Sequence, residues 1–138
     1  MSDIIIPARI ESVPGVSLEI EQFMRVAGFS DKQILDMQLA IEEAVTNSIR
    51  HGYRGSPGLI TIHTEDGPDA LNVEITDHAP PFDPLAMPDP DITSSLEERR
   101  VGGLGIHLIR QVTDTVTYRY EQGKNILTLT KKKDTTGA

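Results

Sequence analysis

Two oxygen-bearing side chains, Glu43 and Asn47, stand one helical turn apart in the stretch Leu39-Ala-Ile-Glu-Glu-Ala-Val-Thr-Asn-Ser-Ile-Arg-His-Gly-Tyr53. At positions i and i+4 their side chains are neighbours on a helix surface. Carboxylate and carboxamide oxygens are hard donors of the kind magnesium takes, and a carboxylate within reach of a hydroxyl can act as a general base. A mid-helix asparagine is a mild cost, because its amide competes for the backbone. The same pair also suits a plain solvated helix face, the usual place for exposed polar residues. The choice turns on whether the rest of the chain supplies a pocket.

Two further places offer chemistry. Asp77 ends an alternating stretch, where a fixed carboxylate can accept a hydrogen bond from an exocyclic amine such as adenine presents. It could equally start an ordinary turn. Gly102-Gly103-Leu104-Gly105 opens a helical pattern through Ile106, Leu108, Ile109 and Val112. Glycines at a helix start let backbone N–H groups approach phosphates, where the helix dipole favours negative charge. A hinge before a core helix has the same composition. The four histidines, His51, His63, His78 and His107, show no metal-ligand spacing. His51 reads as a cation at its helix C-terminus, favoured by the dipole. His107 reads as a packed or half-exposed side chain, and Tyr118 and Tyr120 as sheet surface.

The elements that must position these groups follow from periodicity. Ile4 to Ile10 reads as a strand, placed at a sheet edge by Pro7. Ser12-Val13-Pro14 starts a helix carrying Val16, Ile20, Phe23, Met24 and Ala27, closed by Gly28. Ser30 and Gln33 form a capping-box signature for the central helix, Asp31 to His51, with Gly52 expected in the left-handed conformation past its end. On that helix Ile34, Met37, Ile41, Ala44, Val45 and Ser48 share one stripe, suited to packing on a sheet. Leu59 to Thr64 and Ala70 to Asp77 predict an antiparallel hairpin, and Val116 to Tyr120 with Ile126 to Thr130 a second one. Between them, Pro80, Pro81, Pro84, Pro88 and Pro90, interleaved with Asp83, Asp89 and Asp91, forbid a long helix or central strand. A loop of that length in a compact domain is a functional lid or a disordered segment.

Composition narrows the classes. At 138 residues the chain makes one domain with a real core, built from Ile, Leu and Val because it has three Phe, three Tyr and no Trp. The absence of cysteine removes disulfides, thiol catalysis and cysteine zinc sites. A net charge of −8 repels phosphate backbones, so no direct nucleic-acid partner is expected. ATP could still bind through Mg²⁺, helix N-termini and a few arginines. No signal peptide and no apolar run near the ~20 residues of a membrane span are found, so a cytoplasmic location without membrane contact is expected.

In order, helical Glu-x-x-x-Asn, strand-end Asp, Pro-rich loop, glycine-opened helix and closing hairpin resemble the nucleotide-binding domain shared by DNA gyrase, the MutL repair proteins and sensor histidine kinases, the Bergerat fold. Within it the chain is most similar to the small serine-kinase anti-sigma factors. Glu42-Glu43-Ala-Val-Thr-Asn47-Ser-Ile-Arg-His51-Gly52-Tyr53 resembles their N box, Asp77 to Pro84 their first glycine box, and Gly103-Leu-Gly105-Ile-His-Leu-Ile-Arg110 their second. The resemblance implies an α+β, two-layer sandwich: a mixed, mostly antiparallel sheet covered on one face by helices. It implies a domain over residues 1–131 with a lid at 78–102, followed by a polar tail at 132–138. Glu43 would be the catalytic base and Asn47 the Mg²⁺ ligand. Asp77 would hold the adenine amine. Arg50, His51, Ala79, Phe82, Arg100 (or Arg99), Gly102, Gly103, Leu104, Gly105, Ile106 and Thr128 would line the rest of the nucleotide site. The family's first box usually reads Asp-x-Gly; here Ala79 takes the glycine's place, and alanine adopts a positive φ only at a cost. The implied function is an ATP-dependent protein serine kinase that sequesters a sigma factor or similar regulator and phosphorylates an antagonist protein on serine, as a possible homodimer. The alternative is a nucleotide-dependent partner-switching module without phosphoryl transfer. A detached sensor-kinase domain fits less well, because the chain has no room for a helix pair carrying a phosphoacceptor histidine.

Overall fold

A computed structural model of the protein describes residues 2–86 and 104–133. The strands are β1 (Ser2–Pro7), β2 (Leu59–Asp66), β3 (Ala70–Asp77), β4 (Thr115–Glu121) and β5 (Lys124–Lys132). The helices are α1 (Val13–Val26), α2 (Asp31–Asn47) and α3 (Leu104–Val112). The sheet runs β1-β2-β3-β5-β4 and every pairing is antiparallel, so the "mixed" sheet of the expectation is antiparallel throughout the described residues. β1 takes the expected edge. The second hairpin's returning strand, β5, inserts beside β3, a long-range pairing that hairpin periodicity does not announce. Its register sets Asn125 opposite Asp77.

Alternation along the strands sends Ile4, Ile6, Ile60, Ile62, Leu71, Val73, Ile75, Leu127 and Leu129 into one core with the helices. From α2 the whole predicted stripe, Ile34, Met37, Ile41, Ala44, Val45 and Ser48, is buried. Burying the Ile, Met and Val side chains among them contributes about 1.5–3 kcal/mol each. Ser30 and Gln33 form the reciprocal capping box that starts α2, as the sequence indicates. Lys131 of β5 reaches Asp36 of α2 at 3.1 Å and the Val112 carbonyl at 2.8 Å, tying both helices to the sheet.

Three local expectations are corrected. β1 ends at Pro7, and Ser12 donates to the Pro7 carbonyl at 3.0 Å instead of capping α1. The regular part of the central helix stops at Asn47 and widens into a π-helical turn, Ser48–Tyr53. The left-handed residues past it are Arg54 (φ 53°) and Gly55 (φ 87°), so Gly52 stays helical. What Gly52 supplies is its missing Cβ, which would sit 3.3 Å from the Ala79 Cβ. The turn is pinned by Tyr53, whose hydroxyl donates to the Leu59 carbonyl at 2.7 Å and accepts from the His78 N–H at 2.8 Å. Most of the expected lid, from residue 87 on, and the tail from residue 134 lie outside the described residues, as do Arg99, Arg100, Gly102 and Gly103.

Candidate nucleotide site

The junction of α2 with the π-helical turn faces the ends of β3 and β5, and two hollows meet there at Asn47. One, of about 30 Å³, is lined by Ala44, Asn47, Ser48, Asp77, Phe82 and Asn125, with Tyr118 and Pro84 among its other walls. The other is a cleft of about 590 Å³ between α2 and α3, lined by Glu43, Asn47, Arg50, Gly105, His107 and Gln111 among others.

At the small hollow, Asp77 is buried and already bonded. Its Oδ2 accepts from Ser48 Oγ at 2.5 Å; its Oδ1 accepts from the Ala79 N–H at 3.0 Å and from Asn125 Nδ2 at 2.8 Å. Asn125 also donates to the carbonyls of Ala79 and Pro80 and accepts from the Phe82 N–H, so the segment after β3 is laced to β5. Ala79 is not among the residues with positive φ, so alanine sits in the first glycine box unstrained, its methyl packed where Gly52 leaves room. A hollow of this size holds about one water. Phe82 and Pro84 are among its walls.

At the cleft, Gly105 in the first turn of α3 faces Glu43 and Asn47 at close range. A Cβ there would lie 3.1 Å from Glu43 Oε2 and 3.2 Å from Asn47 Nδ2. A side chain there must push Glu43 and Asn47 back by a few tenths of an ångström, so glycine serves the approach of α3 to α2 and not a special φ. Asn47 is buried, and its Nδ2 is one of two buried side-chain polar atoms without a hydrogen-bond partner among the described residues. Glu43 is half-buried. Burial raises its pKa above the ordinary carboxylate value, Glu42 next to it adds to the rise, and Arg50 opposes it.

The remaining expected residues divide. Arg50 lines the cleft. His51 does more than end its helix: its ring stacks on Phe82 with centroids 5.7 Å apart, beside a third hollow of about 520 Å³ that Ala79 also lines. Leu104 begins α3. Ile106 is corrected: its side chain is buried in the core, leaving only its backbone near the cleft. Thr128 is corrected too. It falls in the opposite alternation phase to Leu127 and Leu129, paired with Glu74 and Thr117 on the face away from the helices. Tyr118, expected on the sheet surface, lines the small hollow and donates to Asn125 Oδ1 at 2.5 Å. His107 is exposed at the cleft.

Sequence reasoning missed Asn125 as a site residue and counted Ser48 only as packing. The signal for Asn125 is its phase, a polar residue where the strand's alternation with Leu127 and Leu129 calls for an apolar one.

A family profile described as the histidine kinase-like ATPase domain matches residues 6–131. Serine-protein kinase RsbW of Listeria monocytogenes is 32% identical over 127 residues, 88% of this chain and 81% of the relative. Serine-protein kinase RsbW of Bacillus cereus is 31% identical over 126 residues, covering 88% and 79%. A crystal structure of the RsbU and RsbW domains of a Mycobacterium tuberculosis protein superposes with a TM-score of 0.62 at 17% identity over 96% of this chain. The chain spans 33% of that solved protein, and the likeness shows the shared fold. With the N-box pair, the strand-end aspartate and the glycine-opened helix gathered round Asn47, the chain belongs to the histidine kinase-like ATPase family, among its serine-protein kinases of the RsbW type.

Proposed function

We propose that the protein binds ATP with Mg²⁺ at the junction of the two hollows and transfers the γ-phosphoryl group to a serine of an antagonist protein, sequestering a sigma factor or similar regulator through another surface. Asn47 carries this reading. A buried amide with an unpartnered nitrogen costs about 1–3 kcal/mol, and the donor it leaves open suits a phosphate oxygen while the amide oxygen is left for Mg²⁺. It sits between the base hollow and the cleft, opposite a backbone stripped of its Cβ.

The residues present fit the implied ligand. The Asn47 carboxamide supplies a hard oxygen, and Mg²⁺ binds through one or two protein oxygens with phosphates and waters completing its shell. When bound, the metal neutralises charge on the phosphate oxygens. The first turn of α3 presents N–H groups, and Gly105 lets its backbone come close. Asp77 offers an acceptor to the adenine amine. Glu43 stands one turn from Asn47 and takes the proton from the incoming serine hydroxyl as its oxygen bonds to phosphorus and ADP leaves. Its raised proton affinity suits that task. The scarcity of further machinery matches a reaction that needs mainly positioning and charge neutralisation. No helix among the described residues is long and apolar enough to cross a membrane, consistent with a cytoplasmic site of action.

The test is label transfer from γ-labelled ATP to candidate antagonist proteins. Glu43→Gln is expected to lower transfer by about 10²–10⁴-fold with ATP affinity preserved. Undiminished transfer by the variant would remove Glu43 from the base role, and a wild-type protein that binds ATP but labels no antagonist would reduce the protein to a nucleotide-dependent switch.

A further inference from the structure

Asn125 has no capacity left for a ligand. Its amide nitrogen, with two hydrogens, faces Asp77 Oδ1 at 2.8 Å and the carbonyls of Ala79 and Pro80 at 3.1 Å each. Its oxygen, with two lone pairs, accepts from the Phe82 N–H at 3.0 Å and the Tyr118 hydroxyl at 2.5 Å. Every donor and acceptor of that side chain is therefore spent inside the protein.

The same count at Asp77 gives a different answer. A carboxylate has about four lone-pair sites. Asn125 Nδ2 and the Ala79 N–H fill those on Oδ1, and Ser48 Oγ takes one on Oδ2. One acceptor site remains, on the oxygen beside Ser48 at the hollow. Both carboxylate oxygens are anchored from opposite sides, so the plane cannot turn and the open site keeps its direction.

We infer that Asn125 is the positioning residue for base recognition: by occupying Asp77 Oδ1 and lacing residues 79–82 to β5, it leaves a single, fixed acceptor that reads an exocyclic amine. The inference rests on the nucleotide reading above and extends it to base selectivity. Asn125 acts through Asp77 and has no hydrogen-bonding group left to offer a ligand. Tyr118 in turn fixes which way the Asn125 amide points, because a hydroxyl that donates to its oxygen holds the nitrogen toward Asp77. The arrangement favours adenine over a purine carrying a carbonyl at the same position, since that oxygen would face the carboxylate's lone pairs.

Calorimetric titration with Mg-ATP and Mg-ITP, which carries that carbonyl, tests this on the whole chain. Wild type is expected to prefer ATP by tenfold or more. Asn125→Ala is expected to lose about tenfold in ATP affinity, the scale of one hydrogen bond to a charged group, with ITP affinity within about twofold of wild type. Tyr118→Phe, which removes one hydroxyl and keeps the ring, is expected to shift ATP alone in the same direction by a smaller factor. It serves where Asn125→Ala does not fold. Equal losses for ATP and ITP in both variants would mean that Asn125 only braces the loop, and unchanged ATP affinity in both would mean that it does not position Asp77; either overturns the inference and leaves the ATP reading intact. A wild-type protein that binds both nucleotides equally would overturn the role of Asp77 itself, and one that binds neither would overturn the nucleotide reading.

Discussion

The two ends of the site are built on opposite principles. At the end proposed for the base, Asp77, Ser48, Asn125 and Tyr118 bond to one another, and the hollow between them holds about 30 Å³. At the end proposed for the phosphates, Glu43, Asn47 and Arg50 stand round about 590 Å³ of open cleft, with a buried amide nitrogen unpartnered among the described residues. A network satisfied at all but one acceptor gives a rigid template for a neutral, shape-defined edge, and a half-satisfied one leaves charge and hydrogen-bonding capacity for a ligand that brings its own. Stability therefore belongs to the first end and reactivity to the second.

The largest test of that division is at Gly105. A Cβ would sit 3.1 Å from Glu43 Oε2 and 3.3 Å from Asn47 Oδ1, so a side chain must displace both. Gly105→Val is expected to cost about 100-fold in phosphoryl transfer, the scale of a misplacement near 1 Å. Gly105→Ala should cost roughly tenfold while stabilising the helix by about 0.5–1 kcal/mol. Activity and melting temperature would move in opposite directions for the alanine variant. If both fall, the phosphate end carries stability after all.

A paired comparison comes next. Asp77→Asn replaces an acceptor oxygen by a donor in a site already facing Ser48, Ala79 and Asn125 donors, and is expected to destabilise by about 2–3 kcal/mol along with weaker ATP binding. Asn47→Ala removes an unpartnered polar atom and improves helix propensity, so stability should hold or rise by up to about 1 kcal/mol. The gain in ATP affinity on adding Mg²⁺ should then disappear. Denaturant unfolding beside calorimetry decides the matter: equal stability losses at the two positions would erase the contrast, and a variant that still tightens with Mg²⁺ would take the metal away from Asn47.

The Glu43/Asn47 pair, proposed for the phosphate end, was legible in the sequence because it is local. Glu43 and Asn47 are one turn apart on one helix, so spacing relates them, whereas the approach of Gly105 depends on how α3 packs on α2. The base end depends on strand register. That Asn125 lies opposite Asp77 follows from β5 entering between β3 and β4, a pairing across 48 residues that no local pattern announces. Thr128, which the resemblance implied for the site, lies in the opposite phase to Asn125, and residues of opposite phase stand on opposite faces of a sheet. Gly52 is a different failure. Gly past a helix is usually there for its φ, but here it makes space for Ala79 while Arg54 takes the left-handed turn.

The smallest expected effect is on the pH profile, and its sign follows from the surroundings of Glu43. Burial and the neighbouring Glu42 raise its pKa above 4.5, and Arg50 partly offsets them. Transfer needs the carboxylate, so the single-turnover rate should fall with acidification through a midpoint above that of an ordinary glutamate. Arg50→Ala should move the midpoint further up, and Glu42→Gln, which also weakens the tie from Ser17, should move it down. Stability runs the other way. A pKa raised by folding means that the fold favours protonated Glu43; that contribution is complete below the unfolded value and is lost as pH rises through the folded one. Glu43→Gln should therefore not lose stability near neutral pH, although it loses transfer, which is the behaviour of a group held for its chemistry. Midpoints that shift the same way in Arg50→Ala and Glu42→Gln would mean that the titrating base lies elsewhere.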